Sequence, residues 1–509
     1  MHRPSIVGDA DDLVRLVPDG ATIALSGSGT MIQPDHALAA LEAAFLATGH
    51  PRDLTVVHAL GIGDGRGAGL GRLAHEGMVR RVIGGHWSWS PAMQRLAREE
   101  KIEAYSFPGG VISTLLRESG AGRPGVITKI GLGTFVDPRV DGGRCNARAR
   151  DELVELIEIG GEAFLRYKPL KIDVSIVCAS QADAAGNLCM VHEAMDLDVY
   201  ALCLAAHNTG GRVIAQVKRR TEGPTLPIRL ARVPAILVDH IFVAPGQQQS
   251  MIGEYDPHLS GEAWASPDGP GHVLPLPTGL RRIIAERAMR EMGQARSVNF
   301  GFGIPGGIPA LVQAQGSGGR WSSVEQGIHN GQMLDGPMFG TARDADSIIP
   351  SVDQFDFYAG GGIDVAFLGM GEMDSDGNVN VSKIGADLVG PGGFIDITQT
   401  ARKVVFCGAF EARGLDVARD ADGRLTILTP GSQPKLVERV RHITFSGAQA
   451  RRNGQEVLYV TERAVFGLAP SGVELRELAP GVDYRRDVAE RMGFTPLIAP
   501  ALRRLLDAA

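Results

Sequence analysis

One sequence pattern occurs twice in this chain, as IDVSIVCASQADAAGN at residues 172–187 and as IDVAFLGMGEMDSDGN at residues 363–378. In both copies an Ile-Asp-Val triplet begins an apolar run, and ten residues after its aspartate a second aspartate begins an Asp-x-x-Gly-Asn turn. A glycine pair follows each copy, at residues 210–211 and 392–393. Such a turn is common after a strand, but the shared order and spacing favour an internal duplication.

Short runs rich in β-branched residues alternate with longer helical stretches along the chain. The predicted strands are 21–25, 54–59, 172–179, 212–217, 235–243, 297–300, 363–368, 394–397 and 403–407, and the clearest predicted helices are 35–47 and 308–315. This alternation is typical of parallel α/β sheets, whose ligands bind at the carboxyl ends of the strands.

The sequence therefore predicts an α/β protein with two related halves, mainly parallel sheets and an active site at the interface of the halves. Residues 253–279 are rich in Pro, Gly, Ser and Asp and have little periodicity, which is typical of a boundary. We expect an N-terminal half at 1–270 and a C-terminal half at 280–509.

Composition excludes several classes of protein. The 58 acidic residues outnumber the 51 Lys and Arg, which argues against a nucleic-acid partner. Five cysteines without a CxxC pair, and the lack of HExxH, predict neither a disulfide framework nor a metal site. No signal-peptide pattern begins the chain, and no window approaches the ~20 apolar residues of a membrane span. We expect a cytoplasmic protein with no membrane partner.

Residues 301–306 read GFGIPG, which fits the GxGxxG pattern between a predicted strand and a predicted helix. In a dinucleotide-binding motif an acidic residue follows the glycines by about 20 residues, and Glu325 lies near that position. Pro305 and Pro309 crowd the first helical turn, however, and this favours a backbone nest for another anion. A NAD-dependent oxidoreductase that uses 301–306 is kept as an alternative.

Glu325 ends an apolar strand, and the turn glycine Gly327 follows it. A carboxylate in this position, facing glycine-rich loops, is placed to act as a nucleophile or a base; the alternative is a solvated loop glutamate. The histidines lack ligand spacing, so packing is the expected role of His86 and of its neighbours Trp87 and Trp89.

With these residues the chain resembles the family I coenzyme A transferases, and more closely their single-chain acetate/propionate type. The resemblance covers nearly the whole chain and is carried by GLGTFVDPR at 131–139, SVEQG at 323–327, FDFYAGGGID at 355–364, GNVNVSK at 377–383 and GGFIDIT at 392–398. After the glutamate turn, residues 328–332 read IHNGQ where similar enzymes have Pro or Ile and a further glycine pair. We expect this departure to affect the acyl preference and not the nucleophile.

The resemblance implies that Glu325 is the nucleophile and becomes a glutamyl-CoA thioester. It implies that backbone N–H groups of Gly361 and Gly303 bind oxyanions. Substrate or CoA binding is expected from the neighbouring loops, at Gly301, Gly306, Gly360, Gly362 and Lys383.

The resemblance further implies a ping-pong transfer of CoA between a short-chain acyl-CoA and a free carboxylate such as acetate, propionate, butyrate or acetoacetate. Coenzyme A is then a substrate, with no permanently bound cofactor, and the chain is expected to form a homo-oligomer. An acyl-CoA hydrolase on the same scaffold and a metabolite-sensing regulator are further alternatives.

Overall fold

The computed structural model describes residues 3–265, 274–316 and 319–506. Up to residue 265, the strands are β1 (Ser5–Ile6), β2 (Thr22–Leu25), β3 (Leu54–His58), β4 (Val79–Gly84), β5 (Glu103–Ser106), β6 (Val126–Thr128), β7 (Val154–Ile159), β8 (Glu162–Tyr167), β9 (Val174–Ala182), β10 (Leu188–Cys189), β11 (Arg212–Arg220), β12 (Ala231–Val233) and β13 (His240–Val243). The helices are α1 (Ala10–Val14), α2 (Asp35–Thr48), α3 (Pro91–Arg98), α4 (Gly109–Gly120), α5 (Val199–Asn208) and α6 (Pro257–Ser260).

From residue 274 onwards, the strands are β14 (Ser297–Phe300), β15 (Trp321–Val324), β16 (Ile328–His329), β17 (Gln332–Met333), β18 (Ala342–Arg343), β19 (Ser347–Ile348), β20 (Val365–Gly369), β21 (Glu372–Met373), β22 (Val379–Asn380), β23 (Lys383–Ile384), β24 (Asp387–Leu388), β25 (Lys403–Cys407), β26 (Glu411–Ala412), β27 (Asp416–Arg419), β28 (Leu425–Thr429), β29 (Gln433–Pro434), β30 (Glu456–Val460), β31 (Ala464–Ala469), β32 (Gly472–Leu478) and β33 (Leu497–Ile498). The helices are α7 (Gly279–Met289), α8 (Ile308–Ala314), α9 (Ser351–Ala359), α10 (Phe394–Thr400), α11 (Gly447–Arg452) and α12 (Pro500–Leu506).

Two large sheets form the centres of two halves. The first has the strand order β1-β13-β11-β9-β2-β3-β4-β5, and neighbours in this order run parallel. The second has the order β19-β16-β15-β14-β20-β25-β30-β31-β32-β33, in which β15, β14, β20, β25 and β30 are parallel and antiparallel strands adjoin both sides. The predicted α/β class with two halves and mainly parallel sheets is confirmed.

The duplication is visible in the order of the strands. In the first sheet the neighbours β3-β2-β9-β11-β13 repeat as β15-β14-β20-β25-β30 in the second. The first aspartate of each copy has the same role, since Asp173 accepts a hydrogen bond from the N–H of Thr22 at 2.9 Å and Asp364 accepts one from the N–H of Ser297 at 3.1 Å. Thr22 and Ser297 are the first residues of β2 and β14.

The second aspartate of each copy also builds the same turn. Asp183 accepts both the backbone N–H and the side-chain amide of Asn187, each at 2.9 Å. Asp374 accepts the corresponding groups of Asn378 at 3.0 and 3.1 Å. The two copies of the pattern are therefore equivalent in structure as well as in sequence.

One predicted strand is wrong, and another is only partly correct. Residues 394–397 begin helix α10, so the glycine pair at 392–393 precedes a helix and not a strand. The run of Phe and Ile favours a strand locally, but its residues Phe394 to Thr398 are all buried, and tertiary packing overrides the local preference. In the predicted strand 235–243, Ala235–Leu237 forms a 3-10 turn and β13 covers only the end.

Backbone hydrogen bonds join the two halves directly. The N–H of Gly109 donates to the carbonyl of Gly392 at 2.7 Å, and the N–H of Gly392 donates to the carbonyl of Gly85 at 2.8 Å. Of the predicted boundary segment, residues 266–273 lie outside the described residues, and the division between 270 and 280 stays a prediction.

The five cysteines are buried and carry free thiols. Among the helices formed by the described residues, none combines the length and the apolar character needed to cross a bilayer.

Candidate active site

Glu325 is placed by a tight turn at the carboxyl edge of the second sheet. It follows the last residue of β15, and the turn closes when the N–H of Gly327 donates to the carbonyl of Val324 at 3.0 Å. Gly327 has a φ of +94°, which a side chain would strain, and the chain then reverses into the antiparallel β16. The predicted position of Glu325, after a strand and before a turn glycine, agrees with this geometry.

The start of helix α10 packs against the stem of Glu325. A Cβ atom on Gly393 would lie 3.2 Å from both Cβ and Cγ of Glu325, so only glycine leaves this approach unstrained. The backbone N–H of Gly393 has no acceptor within the described ranges. A free amide hydrogen therefore lies in the loop that touches the glutamate.

A buried acidic group, Asp396, lies near Glu325. Burial raises the pKa of Glu325, against hydrogen bonds from its own N–H and from Gln326 that lower it. Burial raises the pKa of Asp396 on α10 to about 8, although the Asp396 carboxylate accepts the N–H of Gly110 at 3.2 Å. The negative charge of Glu325 contributes to this rise. Asp396 is therefore mainly neutral at pH 7, and the site does not hold two adjacent carboxylate charges.

The N-terminal half completes the surroundings of Glu325. The side-chain amide of Gln326 donates to Oγ of Ser28 at 3.4 Å, across the boundary between the halves. Beside it, Thr30 Oγ1 donates to the carbonyl of Pro337 at 3.1 Å. Glu325 itself is only partly buried, beside these contacts between the halves.

The predicted glycines of the 301–306 loop lie at the same edge as Glu325. They follow β14, the parallel neighbour of β15, and the N–H of Gly301 donates to the carbonyl of Phe367 at 2.8 Å. Gly303 has a φ of +86°, with open space around it, and its N–H finds no acceptor in the part of the chain that the structure describes. Gly306 lies in the 3-10 turn Pro305–Gly307 that leads into α8.

The glycines 360–362 lie elsewhere. They end helix α9, where the N–H groups of Gly360, Gly361 and Gly362 donate to the carbonyls of Asp356, Tyr358 and Phe357 at 3.0, 2.9 and 3.0 Å. Gly361 and Gly362 line a cavity of about 770 Å³ together with Arg296, Trp321 and Arg402, which lie at the amino ends of the strands. The structure therefore does not bring these glycines to Glu325, because a crossover helix returns the chain to the opposite edge of the sheet.

Lys383 links the two halves. Its Nζ donates to the carbonyl of Cys145 at 3.1 Å. Burial raises the pKa of the nearby Asp141, and the positive charge of Lys383 partly opposes this rise. Burial lowers the pKa of the nearby His442 to about 3, and the charge of Lys383 lowers it further. The contacts of Lys383 are thus with the N-terminal half and not with Glu325.

Two residues of the site were not predicted, Gly393 and Asp396. The sequence shows the glycine pair at 392–393, but it predicts a strand after the pair, where the structure has the helix that carries Asp396. The contact between α10 and the glutamate turn joins segments about 70 residues apart, and no local pattern indicates it.

Comparison with known proteins shows what this chain is similar to. A family model described as coenzyme A transferase matches residues 7–244. The chain is 40% identical over 506 residues to the caffeate CoA-transferase of Acetobacterium woodii, covering 97% of this chain and 95% of that protein. It is 37% identical over 501 residues to the acetate CoA-transferase YdiF of Escherichia coli K12, covering 98% and 93%.

A crystal structure of the acyl-CoA transferase YdiF from Escherichia coli O157:H7, as a thioester complex with CoA, superposes with a TM-score of 0.92. The match has 36% sequence identity and covers 98% of this chain and 94% of that one. The resemblance stated from the motifs is confirmed over the full length, and the chain belongs to the coenzyme A transferase family.

Proposed function

We propose that this transferase moves CoA between a short-chain acyl-CoA and a free carboxylate, in a ping-pong reaction through a glutamyl-CoA thioester on Glu325. The observation that carries the proposal is the position of Glu325. It is only partly buried, it follows the strand at the carboxyl edge of the sheet, and the glycine that touches its stem has a backbone N–H without an acceptor among the described residues.

The first half-reaction has two exchanges at a carbonyl carbon. A carboxylate oxygen of Glu325 attacks the acyl carbon, the C–S bond breaks, and a mixed anhydride and CoA thiolate form. The thiolate then attacks the Glu325 carbonyl carbon, the anhydride C–O bond breaks, and the free carboxylate leaves. The acceptor carboxylate reverses both steps, so no proton is gained or lost overall.

Burial of Glu325 supports its role as nucleophile. A carboxylate that has lost part of its water shell is more basic, which is the direction in which burial moves the pKa of Glu325. Asp396 is mainly neutral at pH 7, so it does not add a second charge that would repel the thioester's developing oxyanion.

Backbone amides are the proposed oxyanion donors. Among the described residues, the N–H groups of Gly393 and Gly303 have no acceptor, and each such donor contributes on the order of 3 kcal/mol to a transition state. Gly361 is left out of the proposed hole because its N–H already donates to Tyr358. Gly301 and Gly306 are proposed to shape the loop on the CoA side.

The segment between β17 and β18 is suited to exclude water from the intermediates. It reaches the N-terminal half through the Pro337 carbonyl, which accepts from Thr30 at 3.1 Å, and through Met338, whose Sδ lies 3.5 Å from Oγ of Ser250. Phe339 contacts Phe302 of the 301–303 loop edge to face, with ring centroids 5.5 Å apart. Water would hydrolyse both the anhydride and the thioester.

The proposal also covers the acid that is exchanged, the oligomeric state of the protein and its location in the cell. Relatives are named acetate and caffeate CoA-transferases, so family membership leaves the acyl group open. Leu226 and Ile228 are 77% and 76% exposed, which favours a homo-oligomer that covers them. A cytoplasmic location fits a substrate such as acyl-CoA.

The test is the intact mass of the protein after incubation with acetyl-CoA or propionyl-CoA. We expect the wild type to gain one CoA less water, and acetate to reverse the gain. Glu325→Gln should show no adduct, while Glu158→Gln, an exposed glutamate on β7, should behave as the wild type. An adduct that persists in Glu325→Gln would refute the nucleophile, and CoA release that needs no acceptor acid would indicate a hydrolase.

A further inference from the structure

A tyrosine hydroxyl lies buried against the strand that leads to Glu325. Tyr358 on helix α9 is fully buried, and its hydroxyl oxygen lies 3.0 Å from Oγ of Ser323 on β15. The side-chain amide of Asn299 on β14 donates to the same hydroxyl oxygen at 3.4 Å and to the carbonyl of Ser323 at 2.9 Å. Two neighbouring strands and a helix therefore meet in one buried hydrogen-bonded group, which we call the Tyr358 cluster: Asn299, Ser323 and Tyr358.

The Tyr358 cluster and Glu325 lie on the same face of the second sheet. Side chains alternate along a strand, so Ser323 and Glu325, two residues apart, point to the same face. A Cβ on Gly393 would lie 3.2 Å from the stem of Glu325 and also 3.2 Å from Cε1 of Phe355, which belongs to α9. The rings of Phe355 and Tyr358 are in edge-to-face contact, with centroids 6.2 Å apart. Helix α9 thus reaches the surroundings of the nucleophile with one side chain and the strand before it with another.

The charge of Glu325 acts at the Tyr358 hydroxyl. Burial raises the pKa of Tyr358 well above its usual value, and the negative charge of Glu325 raises it further, against hydrogen bonds with Ser323 and Asn299 that lower it. The hydroxyl is therefore protonated at pH 7. Since its oxygen accepts the amide N–H of Asn299, its own hydrogen is available to donate to Oγ of Ser323.

The residue before Ser323 is held by a different group. The backbone N–H of Ser322 donates to Oδ1 of Asn330 at 2.8 Å. Asn330 belongs to the stretch 328–332, in which this chain departs from similar enzymes. Among the described residues, by contrast, Oγ of Ser323 is hydrogen-bonded to Tyr358 and to no other group. The side chain nearest to the nucleophile on its own strand face is thus fixed by one hydroxyl.

We propose that Tyr358 is a positioning residue for the nucleophile: its hydroxyl fixes Ser323 and, through the backbone of residues 323–325, the direction in which the Glu325 carboxylate meets the acyl carbon. A phenyl ring in its place keeps the packing and releases Ser323. Because attack on a carbonyl needs reacting atoms that are aligned about 3–3.5 Å apart, the hydroxyl acts on the rate of the covalent steps and not on the binding of acyl-CoA. This inference rests on the proposed function of Glu325.

The test is the single-turnover formation of the glutamyl-CoA thioester, followed by intact mass at increasing concentrations of acetyl-CoA or propionyl-CoA. For Tyr358→Phe we expect the maximal rate to fall about tenfold or more. The half-saturating concentration of acyl-CoA should stay within about twofold of the wild type, since binding is unchanged. Ser323→Ala should behave alike, and the double variant should be no more than about twofold slower than the slower single variant, because both changes remove the same hydrogen bond.

Tyr459→Phe is the matched control. Tyr459 is also fully buried, and its hydroxyl donates to the carbonyl of Gly377 at 2.7 Å. It belongs to β30 of the same sheet, which three strands separate from β15. Because Tyr459→Phe also removes one buried hydrogen bond, it should lower the midpoint of urea unfolding as Tyr358→Phe does, but leave the rate of thioester formation within about twofold of the wild type.

A maximal rate for Tyr358→Phe that equals the rate of Tyr459→Phe would overturn the positioning role and leave the proposed function intact. A double variant that is about tenfold slower than either single variant would also overturn it, since independent effects add. A wild type that forms no adduct with acetyl-CoA or propionyl-CoA would overturn both the positioning role and the proposed function.

Discussion

The contact between Gly393 and Glu325 can be tested with one methyl group. Gly393 has a φ of −82°, which alanine adopts without strain, so Gly393→Ala changes only the space beside the nucleophile. The new Cβ would lie 3.2 Å from Cβ and Cγ of Glu325 and 3.2 Å from Cε1 of Phe355. Ordinary carbon contacts are about 3.5–4.0 Å, so these side chains must move by a few tenths of an ångström.

The expected effect is on catalysis more than on stability. Because a misplacement of about 1 Å can cost about a hundredfold in rate, a shift of a few tenths should lower kcat/KM about tenfold. The overpacking should cost about 1 kcal/mol in the free energy of unfolding, which corresponds to a change in Tm of less than about 4 °C.

The assay is the rate of glutamyl-CoA formation in a single turnover, followed by intact mass, together with a thermal melt. Gly223→Ala is the matched control, since Gly223 also avoids the left-handed region and has no atom within 4 Å of the new Cβ. If Gly393→Ala forms the adduct at the rate of Gly223→Ala, the inferred approach of α10 to the nucleophile is incorrect.

Three further results are expected. Gly361→Ala should lower the free energy of unfolding by about 1 kcal/mol, because Gly361 has a φ of +86°, and it should leave kcat/KM within about twofold. A hundredfold loss of kcat/KM with normal stability would restore Gly361 as an oxyanion donor. Burial raises the native pKa of Asp396 to about 8, so the wild type loses stability as the pH rises from about 4 to about 8. The free energy of unfolding of Asp396→Asn, measured with urea, should therefore gain about 1 kcal/mol or more over that of the wild type between pH 5 and pH 8. A difference that does not depend on pH would contradict the raised pKa of Asp396. Arg463 is buried and binds two buried carboxylates, Glu411 at 2.6 Å and Glu462 at 3.0 Å, of which Glu411 also pairs with Arg491 at 2.6 Å. Arg463→Met should therefore cost about 3–5 kcal/mol in the same assay, mainly because the Glu462 charge loses its buried partner; a change below about 1 kcal/mol would show that this ion pair is replaceable.

Local patterns in the sequence were sufficient for much of the fold. Strands 297–300 and 403–407 match β14 and β25 at both ends, because each is a short buried run bounded by residues that break it. The aspartate turns were recognisable because a side chain that hydrogen-bonds its own backbone acts within a few residues. The strand predicted at 394–397 is wrong because the helix that forms there depends on burial by segments that are distant along the chain.

The sequence by itself determined the α/β class, the duplication and the turn that places Glu325 after β15. Each of these follows from residues that are neighbours along the chain. Only the tertiary structure decided which loops meet the glutamate: it brought Gly393 and Asp396 to Glu325 and placed Gly361 at the opposite edge of the sheet. The reason is that a helix connecting two parallel strands returns the chain across the whole sheet, so loops that look alike in sequence alternate between its two edges.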